Sequence, residues 1–147
     1  MNNPVKLLKD DHKKIKQLFK EFEGADGRSK RRIVEQTIEL LEVHNDIEES
    51  IFYPQLRKVF ADEFIIEEGL EEHHVIRMLI EELKILDTID IHFEAKFKVL
   101  DENTVHHFEE EEEKMFPKAS KLGEDLLDSI GEEMRIRKEE LLMAVEA

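Results

Sequence analysis

The sequence predicts an all-α protein: an up-down-up-down four-helix bundle with an additional C-terminal helix. The chain has only 5 Gly and 3 Pro among 147 residues, and apolar residues recur along it at spacings of three and four. Short loops make successive helices antiparallel neighbours. A chain of this length fits one domain and can bury a full core. We therefore expect a single domain over residues 1–147, with the core bundle at about 4–117 and the last helix at about 124–145.

Capping residues and glycines predict the limits of the first two helices. Asn3 is a favourable N-cap and Pro4 suits the first helical position, so the first helix is expected to run from there to about Phe22. The segment 24–27 contains two glycines and is predicted to form the turn that ends this helix. Ser29 is then the expected cap of the second helix.

A proline and an acidic residue predict the next boundaries. Pro54 lacks an amide hydrogen and clashes with the preceding turn, so the second helix is expected to kink or end there, with a short continuation at 55–60. Asp62 is the expected cap of a third helix, which runs to about Leu86 and is weakened near Gly69.

The remaining elements are a fourth and a fifth helix. The loop 87–90 leads into the fourth helix, which Pro117 is expected to stop as Pro54 stops the second. Gly123 precedes the last amphipathic helix, which contains no histidine. We expect that helix to cover the open end or side of the bundle. A dimer contact is the alternative, so the protein is expected to be a monomer or a homodimer.

One histidine stands on the core-facing stripe of each of the first four helices, where an apolar residue is expected. These residues are His12, His44, His73 and His107. His12 and His73 each follow an acidic residue, and the second histidines come 32 and 34 positions later. This internal duplication of a helix pair predicts a bundle with pseudo-twofold symmetry.

The second and fourth helices share a longer motif. In each, a glutamate follows the histidine by four positions, aromatic residues come next, and a proline stands ten positions after the histidine. The two copies are His44, Glu48 and Pro54, and His107, Glu111 and Pro117. Because residues four apart lie on one face of a helix, each motif directs an imidazole and a carboxylate to one point. Each motif is therefore half of a candidate metal site.

Four histidines and two glutamates that converge in one core predict a pair of metal ions. A buried unpaired carboxylate would cost roughly several kcal/mol, and a bound cation removes that cost. Imidazole and carboxylate ligands without thiolate suit iron, with manganese or zinc as alternatives, and bridging carboxylates suit two ions. Positions left open would take a small ligand such as dioxygen, peroxide or nitric oxide. The expected ligands of one ion are His12 and His44, those of the other are His73 and His107, and the bridging ligands are Glu48 and Glu111.

The composition excludes several other classes of protein. A net charge of −15 argues against nucleic acid and anionic membrane surfaces as partners, because phosphate binding needs clustered Lys and Arg. The absence of cysteine excludes disulfides, thiolate ligands and a cysteine nucleophile. The N-terminus lacks the apolar run of a signal peptide, and no stretch approaches the ~18 apolar residues of a membrane span. A soluble cytoplasmic protein is expected.

These motifs resemble those of the hemerythrin-like, or HHE cation-binding, family. The resemblance covers about residues 5–117 and rests on the two His-x-x-x-Glu motifs with their prolines and on two further histidines in matching positions. It implies a non-haem di-iron centre in a four-helix bundle, with an oxo or hydroxo bridge and binding of small oxidants. The ligands that it implies are His12, His44, Glu48, His73, His107 and Glu111.

The sequence also departs from the oxygen-carrying hemerythrins. Those proteins have a second histidine on the third helix, four residues after the first, where this chain has Arg77. They end in a His-x-x-x-x-Asp pair, where this chain has His107 and Glu111. One histidine fewer implies a more open iron, which favours peroxide chemistry or sensing over reversible oxygen storage.

Neighbouring residues leave alternatives open. His74 and His106 adjoin two of the expected ligands and are the alternatives to them. Glu49 and the acidic run 109–113 are expected to form a solvated face, with hydrogen bonding to a ligand imidazole as the alternative. Tyr53, which has no tyrosine counterpart in the second repeat, could line the pocket or donate to a bound oxygen species.

Three functions fit such a site. The first is a binding protein that holds iron or that binds or senses dioxygen, nitric oxide or peroxide. The second is a di-iron enzyme acting on peroxide or in iron–sulfur cluster repair. Repair is less favoured, because the repair proteins that resemble this family usually carry a cysteine-containing segment that this chain lacks. The third is a metal-stabilised helical interaction module. No acid–base pair independent of the metal stands out, so an enzymatic role depends wholly on the metal site.

Overall fold

The computed structural model describes residues 3–61 and 64–146, and its regular structure within these ranges is entirely helical. The predicted all-α fold is confirmed. The five long helices are α1 (Pro4–Glu23), α2 (Gly27–Ile47), α3 (Phe64–Ile85), α4 (Ile91–Glu110) and α5 (Glu124–Glu146). Short helical segments extend α2 and α4: Glu48–Phe52 and Tyr53–Leu56 after α2, and Glu111–Met115, Phe116–Ala119 and Ser120–Leu122 after α4.

Side-chain caps begin the first two helices. The Asn3 side-chain oxygen accepts hydrogen bonds from the backbone N–H groups of Val5 and Lys6 at 2.8 and 3.3 Å, so the predicted start of α1 is confirmed. The predicted cap of α2 is wrong, because Asp26 and not Ser29 occupies that position. The Asp26 carboxylate accepts from the backbone N–H of Ser29 at 3.1 Å. A charged acceptor three residues earlier satisfies that donor, so the helix begins before the serine.

The later helices begin near their predicted positions. The expected cap of α3, Asp62, lies outside the described residues. Asp90 caps α4 by accepting a hydrogen bond from the backbone N–H of His92 at 2.8 Å. Gly123 has a φ of 88°, a conformation that favours glycine, and it ends the segment before α5.

Neither proline of the repeated motif ends its helix. After both α2 and α4, a five-residue π-helical turn leads into a short α-helix whose first turn contains Pro54 or Pro117. The prediction that Pro117 stops the helix is therefore wrong, and the continuation after Pro54 ends at Leu56. The π turn re-registers the backbone so that each proline occupies a first helical turn, where an N–H would lack a helical partner anyway.

Helices α1 to α4 form the predicted up-down-up-down bundle. Helix α1 packs along α2 and α3 along α4, while contacts of α1 with α4 and of α2 with α3 close the ring. Two apolar clusters fill its interior. On α1, Ile15 belongs to the larger cluster and Leu8 to the smaller one, and the buried His12 lies between them. The bundle therefore has a polar layer between two apolar layers.

Helix α5 covers the side of the bundle formed by α1 and α2. Ile130 and Met134 anchor it in the smaller apolar cluster. None of the helices in the described ranges combines the length and the apolar character that crossing a membrane requires. The single-domain organisation, the oligomeric state and the cytoplasmic location stay predictions.

Candidate metal centre

The six side chains predicted to bind metal come together in the polar layer of the bundle. Each is at most 1% exposed. The four histidines come one from each bundle helix, and each glutamate is the first residue of a π-helical turn. Such turns are frequent at functional sites. The residues that the structure assembles are His12, His44, Glu48, His73, His107 and Glu111.

One group of four consists of His12, His44, Glu48 and Glu111, whose ligand atoms lie within 4.8 Å of one another. His12 Nε2 is 3.2 Å from Glu111 Oε1, and His44 Nε2 is 3.5 Å from Glu48 Oε2. These four buried atoms have no hydrogen-bond partner among the described residues. Unpaired polar atoms are costly in a packed interior, and one cation placed among them would satisfy all four.

The second group of four consists of His73, His107 and the same two glutamates. His73 Nε2 lies 3.0 Å from Glu48 Oε1 and 3.0 Å from His107 Nε2. His107 Nε2 lies 3.4 Å from Glu111 Oε2. Each glutamate thus turns one oxygen to each group, which is the arrangement that a carboxylate bridging two ions requires.

Each histidine presents its other ring nitrogen, Nδ1, to a carboxylate outside the cluster. A carboxylate that accepts the Nδ1 proton leaves the Nε2 lone pair free for a cation and fixes the orientation of the ring. The Nδ1 partners are Glu112 for His12 at 2.7 Å, Asp11 for His44 at 2.9 Å, Glu49 for His73 at 2.8 Å and Glu72 for His107 at 2.6 Å.

These outer carboxylates follow the internal duplication. Asp11 and Glu72, which precede the first histidine of each pair, hold the second histidine of the same pair. Glu49 and Glu112, which follow the two central glutamates, hold the first histidine of the other pair. For Glu49 and Glu112, the structure shows the hydrogen-bonding alternative and not a solvated face.

The neighbouring carboxylates raise the pKa values of His44, His73 and His107. Burial lowers the pKa of His44, but Glu48 and Asp11 outweigh burial and raise this pKa to about 10. Burial likewise opposes the shift at His73 and His107, whose pKa values are nevertheless raised by the glutamates that face them. The raised pKa values favour protonation of His44, His73 and His107 when no metal is bound, and positive charge there offsets the buried carboxylates.

Comparisons with known proteins are consistent with this geometry. The model of the hemerythrin HHE cation binding domain matches residues 3–119. The chain belongs to the hemerythrin HHE cation-binding family. A crystal structure of a hemerythrin HHE cation binding domain-containing protein from Mycobacterium kansasii has a TM-score of 0.84 and 23% sequence identity to the chain. The match covers 96% of this chain and 88% of that one, and it establishes the fold. No curated protein matches the chain.

Arg77 stands where the oxygen-carrying hemerythrins have a further histidine. Its side chain points away from the cluster. It is half exposed and pairs with Glu49, at 3.0 Å, the carboxylate that holds His73. The space beside His73 and His107 is occupied by the buried hydroxyl of Tyr53. The side of the cluster where a further histidine is missing is therefore filled by a tyrosine.

Neighbouring histidines differ in their burial. His73 and His107 are buried in the cluster, whereas His74 and His106 are exposed on the outside of the hemerythrin bundle. Asp11 and Glu72 have no role in the prediction from sequence, although they directly precede His12 and His73. The duplication was the signal that could have identified these two carboxylates as partners of the other histidines.

Proposed function

We propose that this hemerythrin-family protein is a non-haem di-iron protein that binds or senses a small oxidant, such as dioxygen, nitric oxide or peroxide. The observation that carries the proposal is the pair of overlapping four-residue groups, which share two glutamates and leave four buried atoms unpaired. A bridging oxo or hydroxo group would complete the centre. The proposed ligands are His12 and His44 for one iron, His73 and His107 for the other, and Glu48 and Glu111 as bridges.

Iron is proposed because of the kinds of donor atom present. The chain contains no cysteine, so its donors are imidazole and carboxylate groups without thiolate. This set of donors suits iron better than it suits the metals that prefer sulfur. An iron pair supplies redox chemistry and open positions for a small ligand when it is bound. Manganese and zinc are the alternatives that elemental analysis distinguishes.

A small ligand is proposed because of the burial of the cluster. All six side chains are almost inaccessible to solvent, so a substrate of more than a few atoms cannot reach them without opening the bundle. Aromatic rings add an apolar wall: His12 stacks on Phe108 with ring centroids 3.7 Å apart and lies 5.6 Å from Phe116. Such a wall excludes competing water from the place where a diatomic molecule or peroxide would bind.

The test begins with the iron content of anaerobically purified protein and its absorption spectrum before and after air. We expect two irons per chain and new near-ultraviolet bands on oxidation. His12→Gln should lower the content to about one iron, because it removes a ligand of one group only. Glu48→Gln should lower the occupancy of both positions, because the glutamate belongs to both groups. His74→Gln changes an exposed histidine beside a proposed ligand and should retain two irons.

Addition of dioxygen, nitric oxide or peroxide to the reduced protein then tests the ligand. A saturable and reversible spectral change supports binding or sensing. Continued consumption of peroxide would instead favour an enzyme. Failure of the protein to hold iron, either as purified or after reconstitution, would overturn the proposal.

A further inference from the structure

The Tyr53 hydroxyl lies among the ligand atoms of the second group. Its oxygen donates a hydrogen bond to Glu111 Oε2 at 2.6 Å and lies 3.4 Å from Glu48 Oε1. It is also 3.5 Å from His73 Nε2 and 3.3 Å from His107 Nε2. The side chain is buried. Every donor atom of this group is therefore a neighbour of one phenol oxygen.

Apart from the short hydrogen bond to Glu111, these separations of 3.3, 3.4 and 3.5 Å are close to those between adjacent ligands of one ion. Bonds of about 2.1 Å that meet at a right angle place the two donor atoms about 3 Å apart. The separations within the second group, 3.0 Å from His73 to His107 and 3.4 Å from His107 to Glu111, fall in the same range. The phenol oxygen is therefore placed where it could serve as a further ligand of an ion held by this group.

The chain makes room for this hydroxyl with a glycine. A Cβ atom at Gly69 would lie 3.2 Å from Tyr53 Oη and 3.0 Å from Met115 Cε. Gly69 stands four residues before His73, and the corresponding residue of the first repeat, four before His12, is Leu8. The close approach of a hydroxyl to the helix is therefore specific to the second half of the bundle.

The counterpart of Tyr53 supports the same asymmetry. Tyr53 stacks on His73 with ring centroids 5.4 Å apart and planes inclined by 23°, and Phe116 stacks on His12 at 5.6 Å and 22°. The two rings occupy equivalent positions in the duplicated structure. They differ by one hydroxyl group, and that group points among the donor atoms.

We propose that Tyr53 Oη is a fifth protein ligand of the ion held by His73 and His107. The phenol proton leaves to solvent when the oxygen binds the ion. The ion held by His12 and His44 has no such ligand, since Phe116 takes the equivalent place. An exogenous ligand therefore binds at the His12–His44 ion. This inference rests on the di-iron function proposed above.

The test uses the fact that Tyr53 is the only tyrosine of a chain without tryptophan. In the wild-type protein loaded with ferric iron, we expect a phenolate-to-iron charge-transfer band in the visible region. Resonance Raman excitation in that band should give phenolate ring modes, and biosynthetic incorporation of ring-deuterated tyrosine should shift them. Two bound irons without these modes would overturn the ligand assignment while leaving the di-iron function in place. Absence of bound iron would overturn both.

Variants provide the matched comparison. Tyr53→Phe should lose the visible band completely and retain two irons, because the four other ligands of that ion remain. Phe116→Leu alters the equivalent ring at the other histidine and should keep the band. A band that persists in Tyr53→Phe would overturn the assignment. If Tyr53→Phe does not fold, the isotope shift in the wild-type protein decides the question alone.

Discussion

Each histidine of the centre is held by a carboxylate at its Nδ1 atom. The Nδ1 atom of His44, for example, is fixed by Asp11, and its Nε2 atom faces Glu48. Two of the outer carboxylates also form ion pairs with basic side chains, Asp11 with Lys138 and Glu49 with Arg77. The rings are therefore oriented by groups other than the ion, and little side-chain freedom is left to lose when a cation binds.

Gly69 gives a prediction at the scale of one residue. In a helix interior, Gly→Ala is ordinarily stabilising by about 1 kcal/mol. Here the new methyl group would press on the Tyr53 hydroxyl and on Met115, so we expect no gain in the free energy of unfolding. In the ferric protein, Gly69→Ala should also displace and weaken the visible band expected from Tyr53. Urea denaturation and absorption spectra measure the two effects.

Gly27→Ala is the control for that prediction. A Cβ atom at Gly27 would have no heavy atom of the described residues within 4 Å in its surroundings, and the residue begins α2. This variant should keep the visible band and lose no stability. A Gly69→Ala protein that is more stable by about 1 kcal/mol with an unchanged spectrum would contradict the close approach of Tyr53.

At the scale of elements, the periodic spacing of apolar residues does not reveal the π-helical turns. Spacings of three and four predicted α1 and placed His12 and His73 in the core, and the i,i+4 rule paired each glutamate with its histidine. The same pattern contains no sign of a wider turn, so Pro117 looked like a helix end. Asp11 and Glu72 were missed for another reason. Glu72, for example, contacts His107 on the neighbouring helix, and no local pattern records contacts between distant segments.

Helix α5 gives the prediction at this scale, because one helix carries both the test residue and its control. Met134 is fully buried against the bundle, whereas Met143 on the same helix is 69% exposed. We expect Met134→Ala to lower the free energy of unfolding by about 2–5 kcal/mol through lost burial and a cavity. Met143→Ala should change it by at most about 0.5 kcal/mol. Urea denaturation of the metal-free proteins compares them, and equal losses would contradict the docking of α5.

At the scale of the whole molecule, metal loading and stability depend on the same buried charges. The bundle places two glutamates and four histidines between apolar layers, so some positive charge must always accompany the carboxylates. In the proposed metal-loaded protein, metal ions would supply that charge, and in the metal-free protein, protons on His44, His73 and His107 would supply it. The two states should therefore respond differently to pH.

His44 sets the direction of that response. His44 faces two carboxylates: Glu48, which directly follows α2, and Asp11 of α1. Asp11 also contacts Lys138 of α5. Burial lowers the pKa of His44, but the two carboxylates raise it from 6.5 to about 10. A group whose pKa is higher in the folded state stabilises the fold fully below its unfolded pKa, and this contribution is lost as the pH rises through the folded pKa.

We therefore expect the metal-free protein to become less stable between about pH 6.5 and about pH 10. The contribution of His44 to this loss is at most about 5 kcal/mol, since each unit of pKa shift corresponds to about 1.4 kcal/mol. The iron-loaded protein should keep its stability over this range, because ions and not protons balance the glutamates. At pH 7 its advantage over the metal-free protein is about 4 kcal/mol when free metal is 1,000 times the dissociation constant. Thermal unfolding of both forms at intervals of pH measures the difference. Parallel curves would show that protons do not take the place of metal in the cluster.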